Sequence, residues 1–155
     1  MRAKPLLVLV LILAGCGGSG NGKWAEIHGR GFTFDAPSGW SVSGTAASSG
    51  SIDRVEVQTF ELEHPYRRSK RAAVAAELDR DSADLAKQLK GTVTSKTATR
   101  AGGLDAWTYG FAFDGKVEQI TFAFRAGREY ELLCRYAAGA SASACTELVS
   151  SFRLA

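Results

Sequence analysis

A chain of 155 residues has room for one domain with a substantial core, and its 45% apolar and 23% charged content exclude wholesale disorder. The net charge of +3 counts Arg2 and Lys4; without them 17 basic residues face 16 acidic ones, which leaves no general electrostatic case for a nucleic-acid partner. The three cysteines divide as one plus a pair, with Cys16 alone near the N-terminus and Cys134 and Cys145 close together near the other end.

The chain opens MRAKPLLVLVLILAG: two positive charges, an apolar run from Leu6 to Leu13, then two small residues. That is the layout of a secretory signal, and the run is far short of the roughly 20 residues that cross a bilayer core as a helix. Leu13-Ala14-Gly15-Cys16 resembles the bacterial lipobox. The resemblance implies that residues 1–15 are cleaved and that Cys16, lipidated through its sulfur, becomes the first residue of the mature protein. Two acyl chains there would give stable anchoring. Gly17 to Lys23 matches the start of the phosphate-binding pattern G-x-x-x-x-G-K, but Trp24 stands where a Ser or Thr should bind the metal, and no strand precedes it. Residues 16–23 therefore read as an anchor and a flexible Gly/Ser linker, and residues 24–155 as a single domain.

FTFDAP, residues 32–37, alternates Phe32 and Phe34 with Thr33 and Asp35 and stops at Pro37, which predicts a strand. A short second strand is expected at residues 41–44, and the small polar run TAASSGS, residues 45–51, reads as a loop. In residues 52–64 Val55, Val57 and Thr59 share a face before the phase shifts to Phe60 and Leu62, which predicts a bulge near Thr59. From residue 69 the period becomes helical. Val74, Ala75, Leu78, Ser82, Leu85, Ala86 and Leu89 fall on one stripe, with Ser69 as the N-cap and Gly91 as the stop.

Four strands follow. Residues 92–100, TVTSKTATR, are threonine-rich and read as half exposed. Residues 106–113 place Trp107, Tyr109, Phe111 and Phe113 on one face and Ala106, Thr108, Gly110 and Ala112 on the other. Asp114-Gly115 is a two-residue hairpin signal, after which Ile120, Phe122 and Phe124 share a face. In residues 128–137 Tyr130, Leu132, Cys134 and Tyr136 are in phase, so a meander is expected. The last segment aligns Cys145, Leu148, Val149 and Phe152 at helical spacing. The small Gly110/Ala112 face would let the alanine-rich helix approach the sheet closely.

Cys134 lies on the apolar face of the last predicted strand and Cys145 on the apolar face of the last helix. A helix packed back on that strand would join them in a disulfide worth about 3 kcal/mol in an oxidising compartment; two buried free thiols are the alternative.

The order is thus three strands, a helix, four strands and a helix. With FTFDAPSGW near the start, GGLDAW opening the hairpin and YELLC…ELVSSFRL closing the chain, it resembles the PsbP/Mog1-like fold family, especially its bacterial lipoprotein members, over residues 32–154. The resemblance implies an α+β fold with a central antiparallel sheet of six to seven strands and helices packed on it. It also implies work by protein binding, since family members engage a photosystem or a small GTPase. No residue of those partner surfaces carries over.

Chemistry is thin. His28 and His64 are the only histidines and neither adjoins a nucleophile; no G-x-S-x-G elbow occurs, and no residue set suggests a metal or other cofactor. Glu77, Asp81 and Asp84 share a helix flank, where Arg80 and Lys87 favour a solvated face with local ion pairs. Arg67, Arg68, Lys70 and Arg71 crowd the helix start, where the macrodipole disfavours positive charge, so that a contact with anionic lipid or an acidic partner is one reading. The expectation is a non-enzymatic, lipid-anchored protein on the extracytoplasmic face of the cell membrane that binds an envelope protein. The alternative is a carrier or sensor of a small apolar ligand, and behind it an unrecognised hydrolase.

Overall fold

Ten strands and two helices form within residues 22–155, the part of the chain that the computed structural model describes. In chain order they are β1 (Trp24–Gly29), β2 (Phe32–Pro37), β3 (Ser41–Ser43), β4 (Ala46–Ser49), β5 (Asp53–Glu61), α1 (Arg71–Gln88), β6 (Thr92–Ala101), β7 (Leu104–Phe113), β8 (Lys116–Arg125), β9 (Arg128–Ala137), α2 (Ser143–Ser151) and β10 (Arg153–Leu154). The signal segment and Cys16 lie outside the described residues.

The main sheet has seven antiparallel strands in the order β3-β4-β5-β9-β8-β7-β6. The β6–β9 meander follows from the alternation in the sequence. Asp114 and Gly115 take φ of 47° and 67°, the left-handed pair that a two-residue turn between right-twisted strands requires. Burial splits the central strands β7, β8 and β9 between two cores. On one face Val55, Val57, Ala106, Ala123, Tyr130, Leu132 and Cys134 are buried beneath α2 and a second, three-stranded sheet of β1-β2-β10, which contributes Ile27, Phe32 and Phe34. On the other face Trp107, Tyr109, Phe111, Ile120 and Phe124 are buried with Leu78 and Ala86 of α1. Each such large apolar side chain contributes about 1.5–3 kcal/mol by leaving water. Both cores and the strand pairings among the described residues are built by residues 22–155.

Several local expectations are corrected. β5 pairs with β9 in unbroken register from Arg54 to Glu61, so there is no bulge near Thr59, and Phe60 is simply 42% exposed on the far face. The bulge is in β6, between Val93 and Ser95. Residues 46–49, read as loop, form β4, with Ala46 and Ala47 buried. β1 and β10 were not expected either, so three strands join the anticipated order. Helix α1 keeps its stripe but not its caps. A 3₁₀ turn, Arg68–Lys70, precedes it, Lys70 holds the N-cap position without a side-chain bond, and Ser69 sits inside the turn. At its end Lys90, at φ 53°, takes the left-handed position expected of Gly91. Gly91 is needed for a different reason, since a Cβ there would overlap the carbonyl oxygen of Ala112. Finally, α1 packs on the aromatic face, not on the Gly110/Ala112 face. Gly110 makes room instead for Thr94 and Ser95 at the β6 bulge, whose side-chain oxygens a Cβ would crowd.

Candidate functional site

One flank of α1 is tied to the sheet and the other is not. On the tied side Asp79 accepts hydrogen bonds from the Tyr109 hydroxyl and the Lys96 ammonium, both at 2.6 Å. These two donors hold the Asp79 carboxyl below its ordinary range. Burial, and then the bond to Asp79, pushes the Tyr109 hydroxyl up, so it remains a donor.

On the other side a groove of about 1000 Å³ runs between α1 and the sheet. Leu78, Leu85, Ile120 and Phe122 line its apolar part, and Glu77 and Asp81 from α1 face Glu129 and Glu131 from β9. Residues 62–67 close one end. Leu62 and Tyr66 donate backbone hydrogen bonds to the carbonyls of Gly127 and Ala126, at 2.9 and 2.6 Å. The Tyr66 ring packs on Phe124 at 5.4 Å between centroids, and its hydroxyl donates to the buried Asp105 at 3.0 Å.

The acidic side of the groove is electrostatically loaded. Burial, followed by repulsion from Glu131 and Asp81, pushes the Glu129 carboxyl up to about 7. Burial also raises Glu131, opposed by its hydrogen bond with Glu129. Ser82, 3% exposed, also belongs to the groove wall, and its enclosed hydroxyl finds no hydrogen-bond partner among the described residues. A buried hydroxyl left unpaired costs roughly 1–3 kcal/mol.

The expected site residues fall in different places. Cys134 and Cys145 are joined in a disulfide with their Cα atoms 5.2 Å apart, tying β9 to α2. The basic cluster divides. Arg68 lies 3.5 Å from Asp105 and Arg71 lies over the Trp107 ring at 5.5 Å, while Arg67 and Lys70 line the end of the groove. The acidic flank of α1 also divides, for Asp84 pairs with Lys87 at 2.9 Å whereas Glu77 and Asp81 turn to the groove. His28 sits 3.1 Å from Glu26 on β1, and His64 is exposed at the groove's end with no bond to Ser82 among the described residues. No group of three or more His, Cys, Asp or Glu among them is placed to hold a metal ion.

Glu129 and Glu131 were not singled out in the sequence, and Ser82 was placed there only on the helical stripe. The two glutamates alternate with Tyr130 and Leu132 and read as the wet face of a strand; only the placement of α1 over that face turns them inward.

The architecture has a solved counterpart in the solution structure of cyanobacterial PsbP (CyanoP) from Synechocystis sp. PCC 6803. It matches with a TM-score of 0.60 over 92% of this chain and 99% of its own, at 15% identity. The fold is PsbP-like. A crystal structure from Bacteroides thetaiotaomicron VPI-5482 overlaps more loosely, with a TM-score of 0.42, 14% identity, and coverage of 86% of this chain and 42% of its own. No protein-family model matches the sequence, and no curated protein does.

Proposed function

We propose that this chain is an exported, lipid-anchored protein that works by binding an envelope component, without chemistry of its own, and that the groove beneath α1 is its recognition site. The observation that carries the reading is the groove itself. It is concave, about 1000 Å³ in volume, and lined by apolar side chains together with a few charged ones, which is the make-up of a binding site. A hydrolase would need a nucleophile held by a base, whereas the Ser82 hydroxyl has no partner and His64 stands in solvent. Of the two binders expected from the sequence, a protein-interaction module and a small-ligand carrier, a cavity at the upper end of small-molecule size favours the carrier. The lipobox-like Leu13-Ala14-Gly15-Cys16 supports display at the membrane's extracytoplasmic face.

Two experiments test this. Metabolic labelling with a palmitate analogue should tag the wild-type chain and not Cys16→Ala; equal labelling overturns the anchor. A photo-crosslinking residue at Phe122, in the groove, should capture an adduct in the native envelope that the same residue at the exposed Val42 does not. Identical adducts at both positions, or none at Phe122, overturn the groove as the recognition site.

A further inference from the structure

We infer that the groove beneath α1 takes an amphipathic organic cation, an amine or guanidinium carried on an apolar body. The inference rests on the reading of the groove as the binding site and names what fits it. Four carboxylates from two elements converge there, Glu77 and Asp81 on α1 and Glu129 and Glu131 on β9. Like charges on facing elements repel, and none of the four has a basic partner within salt-bridge distance among the described residues. Arg67 and Lys70 also line the groove, two cations against five carboxylates once Glu63 is counted.

A second observation points to a ligand independently. Ser82 is 3% exposed in the middle of α1, and its hydroxyl neither bonds back to the helix nor meets any other described group. A serine in that setting ordinarily bonds to the carbonyl four residues earlier, so Ser82 leaves an enclosed, unpaired hydroxyl in the wall of the groove. Leu78, Leu85, Ile120 and Phe122 offer an apolar bed beside these polar groups. An ammonium supplies only donors, which suits carboxylates, and its apolar body would displace water from the bed. An anion would meet repulsion, and a purely apolar ligand would leave the carboxylates without a counter-charge.

The test is calorimetric titration of residues 22–155 with three probes of equal chain length below their micellar concentrations: decylamine, decanol and decanoate. Decylamine is expected to bind at least about tenfold more tightly than either of the others, the worth of one charge-assisted hydrogen bond. Glu129→Gln with Glu131→Gln is expected to abolish that preference. The glutamine variants relieve a charge that is costly to bury, so a loss of binding in them is not a loss of fold; thermal melts check this directly. Equal binding of decylamine and decanol overturns the cation while leaving an apolar carrier groove. Decylamine binding unchanged in the double variant also overturns it, and no binding of any probe overturns both the cation and the carrier.

Discussion

Tyr109 on β7 donates a 2.6 Å hydrogen bond to Asp79 on α1, and this contact decides which side of the helix closes and which stays open. With Lys96 on the same carboxylate, the helix is drawn toward β6 and β7, and its opposite flank is left standing above β8 and β9. Tyr109→Phe is expected to lower Tm by roughly 3–6 °C and to speed amide exchange in α1 more than in β8 or β9. Because the Asp79 carboxyl lies below its ordinary value of 3.8, this tie is present above that value and is lost as pH falls through the depressed one.

Glu129 gives stability the opposite pH dependence. Its carboxyl titrates at about 7 in the folded chain against an ordinary 4.5. Its contribution is therefore full below 4.5, declines as pH rises between 4.5 and 7, and stays lost above that. Urea midpoints measured from pH 4.5 to 8 should fall with pH in the wild type, and the slope should flatten in Glu129→Gln. A wild-type profile that rises over this window would contradict the buried charge.

Reduction of the Cys134–Cys145 bond should cost about 3 kcal/mol, the chain entropy that a ring of this size removes from the unfolded state. The paired Cys134→Ser, Cys145→Ser variant should show a lowered urea midpoint and an unchanged far-ultraviolet spectrum at low denaturant. A thiol assay on the oxidised domain, residues 22–155, should find no free thiol until it is reduced.

Gly91→Ala is expected to destabilise although its backbone angles suit alanine. The new Cβ would overlap the Ala112 carbonyl oxygen and approach the Phe113 Cβ to 2.7 Å, so the end of α1 must move away from β7. A drop in Tm of several degrees, greater than that for alanine at the open Gly127, would bear this out.

The long elements were legible because each carries its period over many residues. Trp107, Tyr109 and Phe111 alternate cleanly, Leu78, Ser82 and Ala86 recur at helical spacing, and the two cysteines sit on faces that had to meet. The short strands were not. β4 is made of alanines and serines, which pack as a strand only because β5 and β3 flank them, and β1 offers a single fully buried apolar residue, Ile27, to a pattern search. The phase shift at Phe60 suggested a bulge because Phe60 and Leu62 were expected to share one buried face with Val55 and Val57. The groove escaped because it is a property of two segments some fifty residues apart: Glu77 and Asp81 look solvated on a helix, Glu129 and Glu131 look solvated on a strand, and their encounter is written in neither.

The two borders of the main sheet bear on how copies of this protein coexist. β3 is three residues long and wholly exposed, and β6 carries Lys96 and a kink at Val93/Ser95 that breaks its hydrogen-bonding row. A neighbour seeking to extend the sheet thus finds one rim too short and the other out of step and charged. Where copies are concentrated, such rims keep them from zipping into fibres.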